Sequence, residues 1–84
     1  MNTRQRKTLQ NIFQKPARSD ILWKEVISLM KALGAEVVES SGSRVRFVLN
    51  DTALVFHSPH PQKEIGKPTV KGLQEFLEHA GVEP

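Results

Sequence analysis

The 84-residue chain contains no cysteine. Disulfides and thiolate metal sites are therefore excluded, and a cytoplasmic location is expected. No apolar run approaches the roughly 20 residues needed to cross a membrane, so no membrane partner is expected. The N-terminus is charged but lacks an apolar segment behind it, so no signal peptide is expected. A Gly-rich phosphate loop is missing, as are a Ser/His/Asp spacing suited to nucleophilic catalysis and a paired-carboxylate signature. His57-x-x-His60 supplies two imidazoles, but Glu64 is the only further ligand nearby. Neither a metal nor another cofactor is expected.

What is present describes a small folded domain. Hydrophobic residues make up 38% of the chain, too many for a disordered segment and enough for one modest core. The net charge is +3 and the pI about 9.6, a balance that favours a polyanionic partner.

Leu9, Ile12 and Phe13 fall at helical spacing within a basic stretch carrying Arg4, Arg6, Lys7 and Lys15. Residues 1–18 are read as a basic extension with one short helix, ended by Pro16 and docked by its apolar side. A frayed terminus is the alternative. Residues 19–84 are read as a single domain. Ser19 and Asp20 are good N-cap residues. Leu22, Val26, Leu29, Met30 and Leu33 then repeat at helical spacing up to Gly34, predicting a helix over about 20–33. Trp23 has two readings, packing residue or base-stacking platform, of which packing is the commoner.

Ala35 to Glu39 is a short strand candidate, and Ser40-Ser41-Gly42 a turn. Val45, Phe47 and Leu49 alternate with Arg44, Arg46 and Val48, the pattern of a half-buried strand. Asn50-Asp51 is a turn signal, and Thr52 to His57 is the returning strand. A loop over 58–67 leads to a last helix that starts at Pro68 or Thr69 and carries the stripe Val70, Leu73, Phe76, Leu77 and Ala80 before Gly81. Gly72 weakens that helix. The order is α-β-β-β-α with short connections. It predicts an α+β domain in which a three-stranded antiparallel sheet carries two helices on one face.

A two-residue loop at Asn50-Asp51 pairs Leu49 with Thr52, Phe47 with Leu54, Val45 with Phe56 and Arg44 with His57. Val45, Phe47, Leu49, Leu54 and Phe56 then face the helices. Arg44, Arg46, Val48, Ala53, Val55 and His57 face away. Arginine binds phosphate and histidine moves protons, so the polar end of this outer face has the residue types that RNA cleavage requires. An ordinary solvated sheet face is the simpler reading of the same residues. Val48, Ala53 and Val55 form an apolar end that a partner, a second copy or the N-terminal extension could cover.

Leu33-Gly34-Ala35, Val37-Val38 and Gly42-Ser43 occur here in order. So do His60, Glu64-Ile65, Pro68-Thr69-Val70, Leu73, Phe76-Leu77 and Ala80-Gly81. Together, over roughly residues 19–82, they resemble the HicA toxins of bacterial toxin–antitoxin pairs. The resemblance implies a fold like the double-stranded-RNA-binding domain. It also implies a small ribonuclease (an mRNA interferase) that cleaves mRNA without a metal, and a HicB-like antitoxin that covers the active site. The family's catalytic histidine usually follows Gly-Ser, and that position here is Arg44. Arginine does not shuttle protons near neutral pH. The catalytic candidates are therefore His57, which the register places beside Arg44, and His60, which matches a histidine often found in the family. Arg44, Arg46, Ser43 and Lys63 are the candidates for holding RNA phosphate.

Three functions follow. The first is the RNA-binding toxin of a type II toxin–antitoxin system acting as a metal-independent mRNA endoribonuclease. The alternative is a catalytically inactive RNA- or antitoxin-binding module of the same fold. A protein-interaction domain with no RNA role is the third.

Overall fold

The computed structural model describes residues 1–59 and 63–84. Its helices are α1 (Thr3–Phe13), α2 (Trp23–Ala32) and α3 (Lys67–His79), and its strands are β1 (Glu36–Ser40), β2 (Arg44–Leu49) and β3 (Thr52–His57). The sheet is antiparallel in the order β1-β2-β3. α2 packs against β1 and α3 against β3, which makes the expected α+β domain with two helices under one face of the sheet. No described helix is long and apolar enough to cross a membrane.

The core lies between the sheet and the helices. Val45, Phe47 and Leu49 enter it from β2, while Val26, Leu29 and Met30 come from α2. Val70, Leu73, Phe76 and Leu77 come from α3. Each fully buried side chain of this size contributes on the order of 1.5–3 kcal/mol. Phe47 is the hub. Its ring meets Trp23, Phe56 and Phe76 at centroid distances of 6.1, 5.1 and 6.3 Å. Trp23 also meets Phe56 edge-on at 5.3 Å, so Trp23 is a packing residue that anchors α2 to the sheet.

The N-terminal segment is docked rather than frayed. Asn2 and Gln5 form a capping box that starts α1. Leu9 and Ile12 are buried in the common core. The buried Thr8 hydroxyl donates to the Arg4 carbonyl at 3.0 Å. Gln5 donates to the Ser28 hydroxyl of α2 at 3.0 Å, and Gln74 of α3 donates to the Ile12 carbonyl at 2.7 Å. α1 thus leans on both other helices and leaves the opposite face of the sheet uncovered.

α2 and α3 end alike. Gly34 and Gly81 have φ of 84° and 83°, the left-handed conformation that closes a helix at little cost only for glycine. Behind each, the next N–H reaches back into the last turn: Ala35 to the Met30 carbonyl, and Val82 to the Leu77 carbonyl.

Three boundaries differ from expectation. The helix expected over about 20–33 begins at Trp23, with Leu22 as a cap residue that has no capping side chain. Asp20 does not cap it, because Arg18 holds its carboxylate through two hydrogen bonds of 2.8 and 2.6 Å. Residues 21–23 instead pair with the segment before α3. Ile65 N–H donates to the Ile21 carbonyl, and Trp23 N–H donates to the Lys63 carbonyl. β1 begins one residue late, since the Ala35 N–H is committed to the helix end. α3 begins at Lys67, which puts Pro68 in the first turn, where its missing N–H leaves no gap.

Arg18 also donates to Gln14 at 3.0 Å, tying the end of α1 to the connector. The hydrogen bond from Arg18, with its positive charge, holds the Asp20 carboxyl below its ordinary value of 3.8. A lowered folded pKa means that the pairing stabilises at neutral pH and is lost as pH falls below that ordinary value. Asp20→Asn is therefore expected to melt slightly below wild type at pH 7, and the gap should narrow in thermal melts as the pH is taken below 3.8. Gly72 supplies a test in the other direction. A Cβ there would meet only Leu54 Cδ1, at an ordinary contact distance of 3.7 Å. Gly72→Ala is expected to stabilise the protein by about 0.5–1 kcal/mol in urea unfolding.

Candidate functional site on the open sheet face

The site depends on the β2–β3 turn. Asn50 and Asp51 have φ of 48° and 65°, the paired positive values that a type I′ turn requires. Both residue types tolerate that conformation. The Asn50 side chain also donates to the Ala80 carbonyl at 2.7 Å, fixing the turn to the end of α3. The resulting register pairs Arg44 with His57, Arg46 with Val55 and Val48 with Ala53. These are the pairs expected from the sequence.

A two-residue loop makes Leu49–Thr52 a hydrogen-bonded pair, so the parity of the ladder follows along the hairpin. The Ser58 N–H to Ser43 carbonyl bond, 2.8 Å, continues that parity past the strand ends. Arg44–His57 is then a non-hydrogen-bonded pair, the closer type, with Cα atoms about 4.5 Å apart. Their side chains stand next to each other on the open face.

β1 completes the surface. It pairs Ser40 with Arg44, Val38 with Arg46 and Glu36 with Val48. The face therefore has three rows across the sheet. Ser40, Arg44 and His57 make the first, Val38, Arg46 and Val55 the second, and Glu36, Val48 and Ala53 the third. Arg44, Arg46 and His57 are all exposed. Val55 is 55% exposed, so the docked N-terminal helix does not cover the apolar end. Among the described residues the ion pairs are Arg4–Glu25 and Arg18–Asp20, which leave both sheet arginines available to an anion.

The connection into β2 is tight. Gly42 has φ 74° and Ser43 φ 62°. Glycine accepts the first value freely; serine accepts the second at a cost of roughly 1–2 kcal/mol. Ser43 lies beside the first row, and its carbonyl is used by Ser58. Ser41, Gly42 and Ser43 form the turn, one residue later than the expected Ser40-Ser41-Gly42, because Ser40 pairs with Arg44 as the last residue of β1.

The candidates separate into groups. Arg44, Arg46 and His57 share one face, and Ser43 borders it. Lys63 does not join them. Its backbone is tied to Trp23 on the helix side, and it lines an open cavity of about 580 Å³ with Leu22, Trp23 and Lys24. His60 lies outside the described residues. Val38 and Ser40 were missed from the sequence because β1 was not given a register. The short Ser41–Ser43 connection was the available signal, and counting back from it aligns Ser40 with Arg44. No cluster of three or more metal-ligating side chains occurs among the described residues.

A three-stranded sheet with two helices on one face, and an exposed face holding two arginines and a histidine, defines a small α+β module with a basic open sheet face. The family model described as "HicA toxin of bacterial toxin-antitoxin" matches residues 23–82. The chain belongs to the HicA toxin family, the toxin side of a toxin–antitoxin pair, and an antitoxin is its partner. No curated protein and no solved structure matches it.

Proposed function

We propose that the chain is an mRNA-cleaving toxin that uses the open sheet face as its RNA site. The observation that carries this reading is the direct pairing of Arg44 with His57 on an exposed face, with Arg46 in the adjacent row. Residues 19–84 form the toxin domain, and residues 1–18 are a basic extension docked on it. The target is cytoplasmic mRNA, held mainly through phosphate and 2′-hydroxyl groups.

Arg44 and Arg46 bind the scissile phosphate with charge-assisted hydrogen bonds. The ribose 2′-oxygen attacks the adjacent phosphorus, and the bond from phosphorus to the 5′-oxygen breaks. His57 takes the proton from the 2′-hydroxyl, while His60, or water, protonates the departing 5′-oxygen. The products are a 2′,3′-cyclic phosphate and a 5′-hydroxyl end. The arginines stabilise the extra negative charge that develops on the phosphate during this step.

A second reading is favoured by one observation: the residue after Gly42-Ser43 is Arg44, where the family's usual residue is histidine. On that reading the face binds RNA or antitoxin without cutting. One experiment separates the two. Purified protein is incubated with a long RNA in the presence of EDTA, alongside His57→Ala and His60→Ala. Cleavage that falls about 10²–10⁴-fold in His57→Ala supports the nuclease. Wild-type rates in both variants would remove the histidines from the mechanism. RNA binding that weakens steeply with salt, without cleavage, would establish the binding module.

A further inference from the structure

The sheet has two edges, and they are not built alike. β1 carries Glu36 and Glu39, both exposed, which is the usual way a protein blunts an edge against pairing. β3 reads Thr-Ala-Leu-Val-Phe-His, with no proline, no bulge and no Asp, Glu, Lys or Arg. Among the described residues no strand pairs with its outer side.

The ladder parity states which backbone groups that edge offers. Thr52, Leu54 and Phe56 spend their N–H and carbonyl groups on β2. Ala53, Val55 and His57 therefore direct theirs outward. The side chains of these same three residues lie on the open face, and all three residues are exposed. Any strand added here would send alternate side chains onto the open face and lengthen each of its rows by one residue.

We propose that the antitoxin binds by adding an extended segment to the free edge of β3. The proposal rests on membership of the toxin family and not on the nuclease reading. The chemistry of the segment follows from the rows. Opposite Val55 it places an apolar side chain, which covers the exposed valine. Two residues away, opposite His57, it places a carboxylate that extends the row of His57 and Arg44. The basic balance of the chain, +3, favours such an acidic strand over a second copy of itself. Main-chain hydrogen bonds supply the affinity, and the acidic–x–apolar pattern supplies the selectivity.

Val55→Pro tests the geometry, because it removes an outward-facing N–H and leaves the β2–β3 ladder intact. Val55→Lys is the second variant, since it keeps the N–H and guards the edge with charge. Each full-length variant is co-expressed with the antitoxin gene of the pair, and complex affinity is measured with the purified components. Circular dichroism and melting confirm that each variant folds. Both substitutions are expected to weaken the complex at least tenfold. Amide exchange at Ala53, Val55 and His57 is expected to slow on complex formation. Unchanged affinity in both folded variants, or edge amides that exchange equally fast in the complex, would overturn the proposal. So would a free toxin that sediments as a dimer with these amides already protected, which would assign the edge to a second copy. RNA cleavage is not a readout here, so failure of the nuclease reading leaves the test unaffected.

Discussion

Everything on the open face depends on the pairing register of one hairpin. In a strand, successive side chains alternate between faces, so a slip of one residue between β2 and β3 would separate Arg44 from His57 and misalign every pair after them. Three constraints hold the register. Asn50 and Asp51 adopt the positive φ angles of a two-residue loop. The Asn50 side chain fastens that loop to the Ala80 carbonyl. Phe47 and Phe56, on the inner face, pack against Trp23 and prevent the strands from sliding. The polar surface is thus positioned by apolar contacts on the other side of the same strands.

The helices serve that inner face. α2 brings Trp23 to the aromatic group and is closed by Gly34, two residues before β1 begins. α3 lies under β3 closely enough that Gly72 is within van der Waals reach of Leu54. α1 adds Leu9 and Ile12 to the core from the far side of the helices. With all three helices on one side, none of them covers the other face of the sheet. Its composition is divided. Arg44, Arg46 and His57 suit a phosphate chain, whereas Val55 and the free β3 edge suit a polypeptide. On the proposed function the chain meets both RNA and antitoxin, and adjoining regions of one face can serve the two.

The parts of this arrangement that local chemistry determines were legible in the sequence. The turn residues set the Arg44–His57 pairing, the alternation in β2 separated core from surface, and Gly34 and Gly81 marked the helix ends. The parts that depend on distant segments were not legible. Asp20 looked like a cap because the pairing of residues 21–23 with 63–65, which holds the helix start back to Trp23, joins segments some 40 residues apart. Its pairing with Arg18, only two residues away, was a local signal that the reading did not use. Lys63 was grouped with the sheet arginines for the same reason, since its tie to Trp23 leaves no local trace. The face of β1 needed a second register that the reading did not supply. The proposed proton chemistry was the least accessible part, because the residue after Gly42-Ser43 is Arg44 and the proposed substitute, His57, lies across a strand pair.

The most direct measurement is an amide chemical-shift titration of the labelled protein with a short single-stranded RNA at low salt. Perturbations are expected at Arg44, Arg46, Val55 and His57, with Val38 and Ser40 following from β1. Perturbations confined to α1 and α3, with the sheet residues unmoved at saturating RNA, would contradict the assignment of the open face as the RNA site.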